Sequence, residues 1–154
     1  MKLLRRPLRH YLIAAGVLCL LVLSRCHFIA PALRKPDAVM QMKTTGYCAC
    51  GKCCSWKINW YGLPVYSSGS LKGQFKVVGK TASGKMARPG TVAVDPRLFP
   101  MGTKFYIPGY GWGIARDTGG DIKGRHLDLF FWLHASGRHW GVKSKKVKVW
   151  FPGN

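Results

Sequence analysis

Apolar and polar residues alternate with a period of two in two stretches of the last third of the chain. From His126 to Phe131 the alternation sets Leu127, Leu129 and Phe131 on one face and His126, Asp128 and Phe130 on the other, the signature of a half-buried strand. Lys145 to Phe151 alternates in the same way and predicts a closing strand. Met42–Tyr47, Thr91–Val94, Lys104–Ile107 and Trp112–Arg116 predict further strands, Phe75–Val78 a short one, and Leu133–Trp140 one or two helical turns. Between them stand turn signals such as Asp95-Pro96, Pro100-Met101-Gly102 and Pro108-Gly109-Tyr110-Gly111. Short strands at close spacing, punctuated by Gly and Pro, predict an all-β closed or nearly closed barrel. Ser55–Gly73 carries Trp56, Trp60, Tyr61 and Tyr66, too many large rings for a linker, and reads as a long ordered loop. No internal repeat is visible.

The first 32 residues follow a different pattern. Lys2–His10 is basic, and Tyr11–Leu23 is an apolar run without a charge. That run falls short of the roughly 20 residues of a spanning helix but fits the apolar region of a signal peptide. Ala30-Pro31-Ala32 supplies a small-x-small cleavage site. Residues 1–32 are therefore expected to be a signal peptide, or an uncleaved signal anchor in which residues 11–29 tether the protein to a membrane. Leu23-Ser24-Arg25-Cys26 departs from a lipidation signal at Arg25. Residues 33–42, with Pro36, are expected to be a linker and 43–154 the domain. Export to the periplasm, cell envelope or exterior follows.

Charge narrows the partners. Twenty-five Lys and Arg stand against five acids, a formal net charge of +20, and twenty of the cations lie beyond residue 32. Such a surface attracts any polyanion: nucleic acid, anionic lipid or the acidic polymers of a bacterial envelope. The exported leader removes a specific nucleic-acid partner. The Lys143–Lys148 cluster reads as a solvated strand edge, where lysines oppose edge-to-edge pairing, with anionic envelope polymers as its possible partners.

All five acids are aspartates, and Asp117, Asp121 and Asp128 fall in one short run with Asp95 upstream. Carboxylates gathered in so basic a chain point to carboxylate chemistry. Asp117-Thr118-Gly119-Gly120 leaves a strand through a glycine pair, which permits close backbone approach. Asp128 sits in mid-strand over an apolar layer, a rigid mount for a reactive group. Asp95, before Pro96, equally suits a turn in which it accepts backbone N–H bonds, and Asp121 reads as a solvated turn residue.

Cys48, Cys50, Cys53 and Cys54 crowd one turn. Two disulfides suit an oxidising compartment. Four thiolates could instead hold a structural zinc, although adjacent ligands are awkward; no other cofactor is expected. Cys19 and Cys26 belong to the leader and its end.

A run of motifs in fixed order adds a family. Thr45-Gly46-Tyr47-Cys48, Thr81-Ala82-Ser83-Gly84, Val92-Ala93-Val94-Asp95-Pro96, Pro100-Met101-Gly102-Thr103, Pro108-Gly109-Tyr110-Gly111, Ala115-Arg116-Asp117-Thr118-Gly119-Gly120, Ile122-Lys123-Gly124, Leu127-Asp128-Leu129 and Trp140-Gly141 together resemble the 3D domain, named for its three aspartates. That domain closes the MltA-type lytic transglycosylases and occurs in small cell-wall and stationary-phase survival proteins. The resemblance covers about Lys43–Trp150 and implies a six-stranded double-psi β-barrel, here with short helical turns and a long Cys- and aromatic-rich loop. It implies cleavage of the glycosidic bond between N-acetylmuramic acid and N-acetylglucosamine of peptidoglycan, by lytic transglycosylation or hydrolysis. Carried over, the three aspartates are Asp95, Asp117 and Asp128, with Asp128 as the catalytic acid. A single group then acts as acid toward the glycosidic oxygen and as base toward the muramoyl C6 hydroxyl. Asp128 must start protonated, raised by the apolar Leu127, Leu129 and Phe130 and by the charges of Asp117 and Asp95; Lys123 and Arg125 would oppose this if they pointed inward. Thr81, Ser83, Trp112, Lys123 and His126 are expected to contact substrate, with Tyr110, Trp56 or Trp60 as further sugar-stacking rings. Asp121 and the long Ser55–Lys80 loop depart from the family pattern. A non-catalytic wall-binding module is the alternative, since related barrels bind polysaccharide without cutting it.

Overall fold

The computed structural model describes residues 34–153; the predicted leader, its cleavage site, Cys19 and Cys26 lie outside them. Among the described residues no helix is long and apolar enough to cross a membrane.

Six strands close into a barrel: β1 (Ala38–Tyr47), β4 (Thr91–Ala93), β5 (Lys104–Ile107), β6 (Gly111–Asp117), β7 (His126–Phe130) and β8 (Lys143–Trp150). Around the barrel their order is β1-β7-β4-β6-β5-β8. β1 runs parallel to β7, and β4 parallel to β6, while the other contacts are antiparallel. These two parallel crossovers inside a closed six-stranded barrel are the double-psi arrangement expected. Closure leaves the barrel no open edge.

The first strand starts at Ala38, not Met42. Ala38, Met40, Met42 and Thr44 turn to the core while Val39, Gln41 and Lys43 face out. The stretch 38–42, expected to be linker, instead pairs antiparallel with β8 from Ala38↔Val149 onward. One long strand thus serves two neighbours, β8 with its first half and β7 with its second.

Alternation divides β1, β4 and β7 between two apolar clusters. Met42, Val92, Phe105, Leu127, Leu129 and Val147 fill the interior. Tyr47, Ala93 and Phe130, on the opposite faces of their strands, join Ala87 and Ile122 in a second cluster outside the barrel wall. This outer cluster underlies the candidate site.

The expected loop after the cysteines contains a small sheet of its own, in which β2 (Trp56–Ile58) pairs antiparallel with β3 (Pro64–Tyr66). Phe75–Val78 forms no strand; Phe75 makes only an isolated bridge to Val65. A four-residue helix, α1 (Gly51–Cys54), holds the cysteine turn, and α2 (His134–Trp140) follows β7. α2 lies against β1 because two glycines meet there: a Cβ on Gly46 would sit 2.9 Å from the Cα and carbonyl oxygen of Gly137. The Trp140 indole N–H donates to the buried Thr44 hydroxyl at 3.2 Å and pins the far end of the helix.

Candidate functional site

Strand register aligns two carboxylates on the outer barrel face. Ala93 of β4 pairs with Asp128 of β7 on one side and with Asp117 of β6 on the other. Neighbouring strands lie about 4.8 Å apart, so the two aspartate backbones stand about 10 Å apart across one alanine. Thr45 of β1 extends the row beyond Asp128. Simple alternation along β6 would put Asp117 on the same face as the buried Ala115, inside the barrel. A β-bulge prevents this: Val92 pairs with Ala115, the next residue Ala93 with Asp117, and Arg116 is the extra residue. A bulge of this kind re-aims the side chains that follow it, here turning Asp117 outward beside Ala93.

Between this face and the cysteine turn lies a cavity of about 250 Å³. Asp117, Asp128, Ala93, Tyr47 and Phe130 line it from the barrel, Cys53, Cys54 and Ser55 from the cysteine turn, and Lys76 and Lys80 from the loop beyond. Asp117 is well held. The Tyr47 hydroxyl donates to its Oδ2 at 2.9 Å, and the backbone N–H groups of Ala82 and Thr118 donate to its Oδ1 at 3.0 Å. Gly119 allows the turn after it, since a Cβ there would lie 2.7 Å from the Ile122 side chain.

Asp128 belongs to a chain of three side chains. The Thr45 hydroxyl donates to Asp128 Oδ1 at 2.6 Å and lies 2.9 Å from His126 Nε2. A hydroxyl carries one proton and two acceptor lone pairs, so two proton arrangements satisfy the chain. With Asp128 ionised, Thr45 donates to it and accepts from His126 Nε2–H. With Asp128 protonated, the acid proton goes to Thr45 and Thr45 donates to a neutral imidazole. Burial pushes the Asp128 carboxyl above its usual range, and the charge of Asp117 adds to this against the opposing Thr45 bond and His126. Burial, with help from Lys43, pushes His126 down against the pull of Asp128. Both shifts point toward the second arrangement, in which Asp128 carries the proton.

The remaining expected site residues are placed differently. Asp95 is buried at the end of β4, away from the cavity lining. It accepts from the Arg97 guanidinium at 2.8 and 3.0 Å and from the Gly124 N–H at 2.9 Å, and these bonds hold its carboxyl well below the usual range. It takes the turn role, and the neighbouring carboxylate that raises Asp128 is Asp117. Thr81 and Ser83 bond to each other at 3.1 Å, and Thr81 also donates to the Lys85 carbonyl at 2.8 Å. Trp112 packs on Trp150 at 4.9 Å and on Tyr106 at 5.4 Å. Lys123 and Arg125 are exposed and turned from the cavity lining. The Tyr110 hydroxyl bridges the Phe130 carbonyl and the Gly90 N–H, a structural use. Thr45, Tyr47 and Trp132 were not expected. Trp132 is 67% exposed, sets its edge against Phe130 at 5.5 Å, and walls a second hollow that shares Ala87 with the first.

No disulfide joins Cys48, Cys50, Cys53 and Cys54 in the structure. Cys48, Cys50 and Cys53 converge with His134, their ligand atoms all within 4.8 Å of one another, a set that could hold a metal ion. Cys54 stands apart, its thiol donating to the Cys48 carbonyl at 3.2 Å.

Residues 90–151, which carry Asp95, Asp117 and Asp128, match the 3D domain. Among individual proteins, the chain is 43% identical over 77 residues to the cell wall-binding protein YocH of Bacillus subtilis, 47% of this chain and 27% of that one. It is 47% identical over 58 residues to YabE of the same organism, 38% of this chain and 14% of that one. The chain thus spans about a quarter or less of these relatives. Of solved structures, the lytic transglycosylase MltA of Escherichia coli aligns with 27% identity and a TM-score of 0.40 over 51% of this chain and 28% of that one.

Proposed function

We propose that this protein binds the glycan strands of bacterial peptidoglycan, with the cavity between Asp117 and Asp128 as a sugar subsite. The observation that carries this reading is the outward row Asp117–Ala93–Asp128. It sets two hydroxyl-binding carboxyls on either side of the one residue small enough to leave room between them. Buried Phe130 closes the floor of the cavity, and Lys76 and Lys80 at the rim suit the carboxylates of muramoyl peptides. The hollow beside Trp132 extends the path for a second sugar. The cationic surface would hold the protein on anionic envelope polymers, and the name of its relative YocH supports an envelope location.

A second reading has its own observation, the Asp128–Thr45–His126 chain with its half-buried acid. It favours lytic transglycosylation, in which Asp128 protonates the glycosidic oxygen and then takes the proton of the muramoyl C6 hydroxyl. Purified sacculi test both readings at once. Wild type should sediment with sacculi at salt concentrations that abolish its binding to a non-glycan polyanion, and Asp117→Asn should sediment less. Equal, salt-sensitive binding to both polymers would reject the glycan reading. Anhydro-muropeptides released by wild type and absent with Asp128→Asn, read by mass spectrometry, establish catalysis; binding without release leaves a wall-binding module.

A further inference from the structure

The turn after β1 and the helix after β7 bring together four groups that the glycan reading does not need. The Sγ atoms of Cys48 and Cys53 lie 3.8 Å apart, and His134 Nδ1 lies 3.7, 3.5 and 3.4 Å from the sulfurs of Cys48, Cys50 and Cys53. Hydrogen bonding does not account for this convergence, because one imidazole nitrogen has a single proton or a single lone pair to share among three sulfurs. Nor does disulfide pairing, which would draw two sulfurs to about 2.05 Å and leave the third and the histidine without a role.

A tetrahedral metal does account for it. Zinc takes thiolate sulfur at about 2.3 Å and imidazole nitrogen at about 2.0–2.1 Å. At the tetrahedral angle those bonds separate two sulfurs by about 3.8 Å and a sulfur from a nitrogen by about 3.5 Å. The Cys48–Cys53 separation matches the first value and the three sulfur–nitrogen distances bracket the second, and all four ligand atoms lie within 4.8 Å of one another. The cysteine turn is held by the four-residue helix α1 (Gly51–Cys54). Gly51 is required in that turn, because a Cβ there would run into the Trp56 carbonyl.

We propose that Cys48, Cys50, Cys53 and His134 bind one zinc ion in a closed structural site. Three thiolates and an imidazole select a thiophilic, tetrahedral divalent ion, and four protein ligands leave no open position for catalysis. The ion clamps the turn after β1 to the start of α2, joining segments 81 residues apart. Tyr47, Cys53 and Cys54, which line the acid cavity, are ligands or their immediate neighbours, so the same ion fixes one wall of that cavity. Cys54 is excluded: its sulfur points away to the Cys48 carbonyl.

The test uses the reduced full-length chain, with metal content measured by mass spectrometry and zinc affinity by competition with a chromophoric chelator. Wild type should carry one zinc, and cobalt(II) in its place should give thiolate-to-metal charge-transfer absorption. Cys50→Ser and His134→Ala should each lower zinc affinity by more than the roughly 10–100-fold typical of a residue that merely supports a ligand. Cys54→Ser should keep wild-type affinity. His134 is exposed and lies outside the core, so circular dichroism of His134→Ala should show the barrel intact. Substoichiometric zinc in the reduced wild type would overturn the proposal. So would unchanged affinity in His134→Ala, a loss in Cys54→Ser as large as in Cys50→Ser, or a zinc-free cluster whose native mass shows an internal disulfide. None of these readouts depends on glycan.

Discussion

Thr45→Val removes the centre of the Asp128–Thr45–His126 chain while keeping the shape of the side chain, and its cost should depend on pH. A hydrogen bond to a charged group contributes about 1.5–3 kcal/mol, one between neutral groups about 0.5–1.5 kcal/mol. Thr45 donates to Asp128 at 2.6 Å, so the ionised carboxylate loses the stronger bond and the protonated acid the weaker. The variant should lose about 0.5–1.5 kcal/mol below the titration of Asp128 and about 1 kcal/mol more above it. The sign follows from linkage. Burial raises Asp128 in the folded state, so the native protein holds its proton more tightly than the unfolded chain. Asp128 therefore contributes stability below its unfolded value near 3.9 and loses it as pH rises through the folded value. Without Thr45 the folded value moves further up and that loss deepens. Urea unfolding of wild type and Thr45→Val at about pH 3.5 and pH 7.5 reads the difference directly. The same pair in a His126→Gln background removes the imidazole's own titration. A loss equal at both pH values, or larger in acid, would refute the assignment of Thr45 as donor to the half-buried Asp128 carboxyl.

Asp95 should behave with the opposite sign. Its carboxyl is held low by Arg97 and Gly124, so its contribution is present above about pH 3.9 and fades as pH falls through its depressed folded value. The melting-temperature gap between wild type and Asp95→Asn should therefore narrow steadily below pH 4 in a calorimetric series, with glycan binding at neutral pH retained by the folded fraction. Gly46→Ala should destabilise by about 1–3 kcal/mol, because the added methyl meets the Gly137 backbone and the Phe131 ring at 2.9 Å. Denaturant titration measures the cost, and near-normal stability would mean that α2 is not pressed against β1.

The strands were largely legible because alternation is a local property. β5 runs over Lys104–Ile107 as the sequence predicts, and the two faces of β7 separate Leu127 and Leu129 from Asp128 and Phe130 as the pattern requires. The start of β1 was masked by Pro36 and by Val39 on an outward position, where an apolar residue blurs the alternation. The long loop hid a two-stranded hairpin because its aromatic residues do not alternate cleanly. What no local count could supply was the extra residue Arg116. Period two places Asp117 inside the barrel, and only pairing with β4 reveals the bulge that turns it out. His134 was illegible as a ligand for a related reason: the cysteines are neighbours in sequence, but the histidine arrives through the β1–β7 pairing, 81 residues beyond Cys53.

Scarcity of acid residues drew attention to three aspartates, yet scarcity does not separate their roles; their mounting does. A carboxylate at a strand end before proline finds N–H groups two residues on, as in an Asx turn, and Asp95 accepts from the Arg97 backbone N–H at 3.2 Å in this way. A carboxylate in mid-strand has no such partner, since both flanking N–H groups belong to the sheet, and its side chain must face either core or cavity. Asp128 faces the cavity because Leu127 and Leu129 take the core. Asp117 joins it only because a bulge reverses the last step of its strand. A carboxyl left to side-chain partners on a buried face is the one whose proton responds to burial. For that reason Asp128, rather than Asp95, is the residue whose titration should move when Thr45 is changed.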